Sequence, residues 1–96
     1  MPAYIIATLE VEDPEGFAEY TARVPAIIEQ YGGRYLARGG ESELLQGAAL
    51  TGRVVLVEFD SVEAARRWYS SPEYSAIRPI RERCAPGSLV LTEGLA

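Results

Sequence analysis

Three stretches of this chain are apolar on both sides of an extended backbone. In AYIIATLEV (3–11), Ile5, Ala7, Leu9 and Val11 alternate with Tyr4, Ile6 and Thr8. In RVVLVEFD (53–60), Val55, Val57 and Phe59 alternate with Val54 and Leu56, and in SLVLTE (88–93) Leu89 and Leu91 flank Val90. Successive side chains of a strand point to opposite faces, so a sheet made of these runs is greasy above and below. The remaining chain holds helices enough for one face. A second apolar face left in water would be a patch of a kind that monomers rarely expose. The economical cover is a second copy of the same sheet across a two-fold axis.

The helices announce themselves by their starts. Asp13-Pro14-Glu15 supplies an N-cap, a proline at the first helical position and an early acid. Phe17, Tyr20, Val24, Ile27, Ile28 and Tyr31 then recur at three- and four-residue steps, which predicts a helix over about 14–31, kinked at Pro25. In YGGRYLARGG (31–40), the first glycine pair follows the last periodic residue, where a helix ends in a left-handed turn. Phosphate loops run the other way, with glycines leading into a helix N-terminus, so no such loop is expected here. Gly39-Gly40 reads as a turn or bulge, and ESELLQG (41–47) as a weak strand. Asp60 or Ser61 caps a short helix in SVEAARRWYSS, and Ser71-Pro72-Glu73 repeats the cap, proline and acid pattern for a helix to about Cys84, bent or shortened at Pro79. The order is a split β-α-β arrangement, an α+β ferredoxin-like βαββαβ subunit with an antiparallel sheet, as a single domain over 1–96.

The most restrictive chemical fact is an absence. The 96 residues include no histidine, and since there is no lysine all nine cations are arginine, at a net charge of −5. Histidine-dependent nucleophile systems, histidine zinc or iron sites and a proximal haem ligand are thereby excluded, and no metal or cofactor is expected. The acidic balance argues against nucleic acid, which recruits a basic face. The single Cys84 has no partner in the chain and reads as a packing residue in a reducing compartment. MPAYIIATLEVEDPEGF lacks a basic leader, and Glu10 and Glu12 interrupt its apolar run, so neither signal peptide nor membrane span is expected and the location reads as cytoplasmic.

Acid, base and anion-binding roles therefore fall to few residues. Arg34 and Arg38 are expected to share a strand face with Leu36; Arg38 is the candidate clamp for a carboxylate or phosphate, with a salt bridge to Glu58 or Glu93 as the competing use. Glu58, on the face of Val54 and Leu56, is a candidate general acid or base, or else a partner for Arg38 or Arg53. Trp68 and Tyr74, with Tyr69 around the break in WYSSPEY, are candidates to wall a pocket, against the commoner reading as core and rim. Arg78 and Arg81, one turn apart, either steer an anion toward that pocket or form a solvated basic face.

Taken together, DPEGFAEYTARVP (13–25), YGGRYLARGG (31–40), VVLVEFDS (54–61), RRWYSSPEYSAIRPIR (66–81) and LTEG (91–94) resemble the family of the domain of unknown function 1330, in the dimeric α+β barrel superfamily. The resemblance spans nearly the whole chain. It implies a bacterial protein whose ferredoxin-like subunits pair sheet to sheet, with a small cavity between sheet and helices. Family members usually carry EFPS where this chain has Glu58-Phe59-Asp60-Ser61, and often lysine in place of Arg78, which replaces a point donor by a planar fork. The family brings no established reaction. The function expected is that of a homodimer binding a small anionic or carbonyl-bearing metabolite, with cofactor-free catalysis as an extension. A non-catalytic ligand-sensing or stress-related module and a purely structural dimer are the alternatives.

Overall fold

The computed structural model describes residues 1–48 and 52–95. Strand β1 (Ala3–Leu9), helix α1 (Pro14–Gln30), strands β2 (Arg34–Arg38) and β3 (Arg53–Phe59), helices α2 (Val62–Ser70) and α3 (Pro72–Cys84) and strand β4 (Gly87–Glu93) follow one another. The strands form one antiparallel sheet in the order β2-β3-β1-β4. This is the α+β ferredoxin-like arrangement. Its Cα envelope is 16 Å in the short dimension, the thickness of one sheet under one helix layer.

Capping explains where the helices begin. The Asp13 carboxylate accepts from the Gly16 amide at 3.1 Å, and Ser61 Oγ accepts from Ala64 N at 3.1 Å. Ser71 serves two helices: its hydroxyl donates to Trp68 O at 2.7 Å, closing α2, and accepts from Tyr74 N at 3.1 Å, opening α3. Helix α1 continues past Pro25, and α3 continues past Pro79 to Cys84. At the end of α1, Gly32 takes φ +83°, with Gly32 N donating to Glu29 O and Gly33 N to Ile28 O. That pair of bonds satisfies the last carbonyls and turns the chain directly into β2.

The helices cover the sheet face of Ile5, Ala7, Leu9, Val57 and Phe59, all buried. Against it pack Phe17, Tyr20, Val24 and Ile28 from α1, Trp68 from α2, and Tyr74 and Ile77 from α3. Cys84 is fully buried among them. The opposite face carries Tyr4, Ile6, Val54 and Leu56, half-buried, and Val90, 51% exposed.

Two expectations are corrected. No strand forms over 41–47, whose residues are exposed and irregular. Leu44 and Leu45 are consecutive, so a strand there could turn only one of them toward a core. The expectation that Arg34 and Arg38 share a face also fails, because β2 is bulged. Arg34 pairs with Glu58 and Tyr35 with Val57, but Ala37 pairs with Leu56 and Arg38 with Val55. The extra residue, Leu36, reverses the alternation, and every side chain beyond it changes face. Arg34 stays on the open side, whereas Arg38 moves to the helix side.

Candidate functional site

That bulge delivers Arg38 to a cavity between the sheet and α1. Its volume is about 50 Å³, and Ile5, Ala7, Val57, Phe17, Val24 and Ile28 form its apolar walls. A water needs roughly 10–15 Å³ of such free space, so there is room for roughly three to five water-sized groups.

At one end stand Arg38 and Arg53. The Arg38 guanidinium lies 4.6 Å over the Tyr35 ring, and its Nη2 donates to Thr21 O of α1 at 3.4 Å. Arg53 lies across Gly39, where a Cβ would come within 2.5 Å of its Nε and the backbone φ is +71°. Glycine is favoured there by the left-handed conformation, and a side chain in its place would also have to displace the Arg53 guanidinium. The second glycine pair of YGGRYLARGG makes room for an arginine, and the first ends a helix.

Farther in lie Trp68, Tyr20 and Arg81. Arg81 is 6% exposed, and its Nε has no hydrogen-bond partner; Trp68, 2% exposed, has an equally unpartnered Nε1. Both residues are on the cavity wall. A buried donor left without an acceptor costs about 1–3 kcal/mol, more for a charged group, so two on one small cavity call for an explanation. Tyr20 and Tyr74 hydroxyls are 3.0 Å apart and buried. Burial pushes both phenols above their ordinary value and the pairing raises Tyr20 further, while the charge of Arg81 beside them acts in the opposite sense. Both therefore stay protonated throughout the physiological range. Two hydroxyl protons share one inter-ring bond, which leaves one proton to donate elsewhere.

Among the described residues no aspartate or glutamate lines this cavity, and no carboxylate lies within ion-pair distance of Arg38, Arg53 or Arg81. The site is a cluster of donors in an apolar shell. Arg81 also borders a second, more open hollow of about 710 Å³, shared with Arg66, Tyr69 and Ser70 and with Leu89 and Leu91 of β4.

The structure separates several residues that the sequence suggested together. Glu58 is on the far side of the sheet, in an ion pair with Arg34 at 2.5 Å, while Arg34 reaches Asp60 at 3.8 Å. It cannot share a ligand with Arg38 inside one subunit's cavity, because the sheet lies between them. Tyr74 is fully buried behind Tyr20 and is not on the wall. Arg78 is half-buried with its guanidinium 5.2 Å from the Tyr69 ring centre, and lines neither hollow. Arg38 and Trp68 are on the wall. Arg81, expected with Arg78 either to steer an anion toward the pocket or to form a solvated basic face, is buried rather than solvated. A signal for it existed: Tyr74, Ile77, Arg81 and Cys84 follow three- and four-residue steps along α3, and all four are buried. Tyr20 was read only as a core residue, and Tyr35 and Arg53 reach the cavity through strand register that single segments do not encode.

The neutral phenols set an alkaline limit on stability. In the unfolded chain a tyrosine ionises near pH 10, whereas Tyr20 and Tyr74 resist ionisation in the fold. Stability is unaffected below pH 10 and falls as pH rises beyond it, by about 1.4 kcal/mol per pH unit for each phenol held neutral. Tyr20→Phe is expected to reduce that slope by one such share in urea unfolding between pH 10 and 11. An unchanged slope would show Tyr20 ionising freely in the fold.

A four-stranded antiparallel sheet with helices on one face and an apolar surface on the other defines an α+β protein of the ferredoxin-like fold, and solved structures share that fold with it. The chain belongs to the family of the Domain of unknown function (DUF1330), which it matches over residues 2–95. It is similar to the RPA0582 protein of unknown function from Rhodopseudomonas palustris, with 19% identity, TM-score 0.77, and coverage of 99% of this chain and 83% of that one. It is also similar to SnoaB, a cofactor-independent oxygenase from Streptomyces nogalater, at 13% identity, TM-score 0.65 and 99% and 94% coverage. A third likeness is to an ethyl tert-butyl ether d (ethd) family protein from Bacillus halodurans, at 16% identity, TM-score 0.59 and 99% coverage of both chains. At these identities the likeness is one of fold. The sequence matches no curated protein. Among the described residues no helix is long and apolar enough to cross a membrane.

Proposed function

We propose that the protein is a homodimer, joined through the open sheet faces, that binds a small anionic metabolite in the cavity of each subunit. The observation that carries this reading is the cationic wall: three arginines without carboxylate partners among the described residues, set in apolar surroundings. An anion supplies both the charge and the acceptors that such a wall lacks. The described wall offers no carboxylate or imidazole to abstract a proton, which favours capture or sensing over acid–base turnover. Cofactor-independent oxygenation, the activity of SnoaB, is an analogy of fold and does not by itself assign chemistry here.

Small carboxylates are expected to raise the melting temperature in a thermal-shift titration with acetate, propionate and pyruvate. Arg38→Ala is expected to weaken the affected carboxylates by roughly ten-fold, the low end for a charge-assisted hydrogen bond, since this side chain is exposed. Glu58→Gln is expected to leave their affinity unchanged. A protein that none of the three stabilises would overturn the anion reading and leave a purely structural dimer.

A further inference from the structure

The cavity's cations stand at two ends, and this separation restricts what fits between them. Arg38 and Arg53 come from β2 and β3, on one side of the sheet. Arg81 comes from α3 and also borders the hollow over β4, on the other side. A ligand with one polar end would satisfy one set and leave the other without acceptors. The unpartnered Arg81 Nε and Trp68 Nε1 are the deeper set, both on residues more than nine-tenths buried.

We propose that Arg81, Trp68 Nε1 and the Tyr20 hydroxyl form an inner subsite for the carbonyl oxygen of a short oxo acid, whose carboxylate is held by Arg38 and Arg53 at the outer end. This rests on the anion-binding reading above and names the class of anion. The size fits: about 50 Å³ suits an acid of roughly three or four carbons, by the space one water requires. The hydrogen bonding fits as well. An oxo oxygen only accepts, whereas a hydroxyl in its place brings a proton that the guanidinium and indole N–H groups cannot receive, leaving the Tyr20 oxygen, already bonded to Tyr74, as the acceptor. A site built to satisfy a polar group discriminates strongly against an analogue that lacks it, because its own buried donors are then stranded.

Pyruvate, lactate and propionate differ at the relevant position alone and serve as probes. Wild-type protein is expected to bind pyruvate at least ten-fold more tightly than either of the others in calorimetric titration. Arg81→Met, which keeps length and removes the donors, is expected to reduce pyruvate to the level of propionate while leaving propionate within about three-fold. Arg38→Ala is expected to weaken all three in parallel. Trp68 is the single tryptophan, so its indole N–H gives one resonance in a nitrogen–proton correlation spectrum of the unmodified protein. That resonance is expected to shift with pyruvate and to stay in place with propionate, a readout that needs no variant to fold.

Equal binding of pyruvate and propionate by wild type, or a preference that survives Arg81→Met, would overturn the inner subsite and leave the anion-binding cavity standing. An indole resonance indifferent to pyruvate at saturation would overturn the role of Trp68 in it. Failure of all three acids to bind would overturn the cavity reading itself, and the subsite with it.

Discussion

Ile6→Glu is expected to convert the particle in solution from two copies of the 10.5 kDa chain to one. Ile6 lies at the middle of the open face, opposite Leu56 on β3 and Val90 on β4. The three make an apolar row across adjacent strands, with Tyr4 and Val54 beside it, and the covering helices are all on the other side. A carboxylate in the centre of a sheet-to-sheet interface has to be desolvated without a partner, which costs far more than the contacts around it return. In a monomer the same carboxylate sits in water. Light scattering at micromolar concentration separates the two states, and circular dichroism checks that the variant retains its fold. A wild-type chain that scatters as a lone 10.5 kDa particle would remove the second copy as the cover of this face.

Trp68→Ala is expected to destabilise the fold by about 3–5 kcal/mol, the range for deleting a large buried aromatic. The indole is 2% exposed, with ring centres of Tyr74 at 4.3 Å, Phe59 at 5.6 Å and Tyr69 at 6.1 Å. It joins α2 to β3 and to the first turn of α3, so its removal leaves a void where three elements meet, and surrounding backbone can close only part of it. For a domain of this length such a loss lowers the melting temperature by roughly 12 °C or more. The comparison belongs at fixed protein concentration, since the proposed pairing of copies would make the melting temperature concentration-dependent. A drop of less than about 4 °C would mean that the indole carries little of the core.

Much of the architecture was legible because it is written in short range. Asp13, Ser61 and Ser71 sit at the three helix starts, each three residues before the amide it captures. The periodicity of Phe17, Tyr20, Val24 and Ile28 marked the buried stripe of α1. Gly32 marked its end. The candidate site was less legible. Arg38 and Trp68 were picked out and do reach the cavity wall, but the partners imagined for them did not follow. Glu58 was offered as a partner for Arg38 or Arg53, but it lies opposite Arg34, and the bulge at Leu36 turns Arg38 to the other face of the sheet. Arg81 was grouped with Arg78 because residues three apart are neighbours on a helix, but the packing of α3 buries Arg81 and leaves Arg78 half-buried.

By itself the amino-acid order determined which segments become strands or helices and that the sheet has two apolar faces, since each of these is a rhythm within one short segment. Only the folded arrangement decided which arginines meet which groups: Arg34 with Glu58, Arg38 with Tyr35, and Arg81 with the phenols of Tyr20 and Tyr74. Those meetings depend on one inserted residue in an edge strand and on contacts between helices more than fifty residues apart. No local pattern specifies them, because they come from minimising voids and stranded polar groups over the whole core at once.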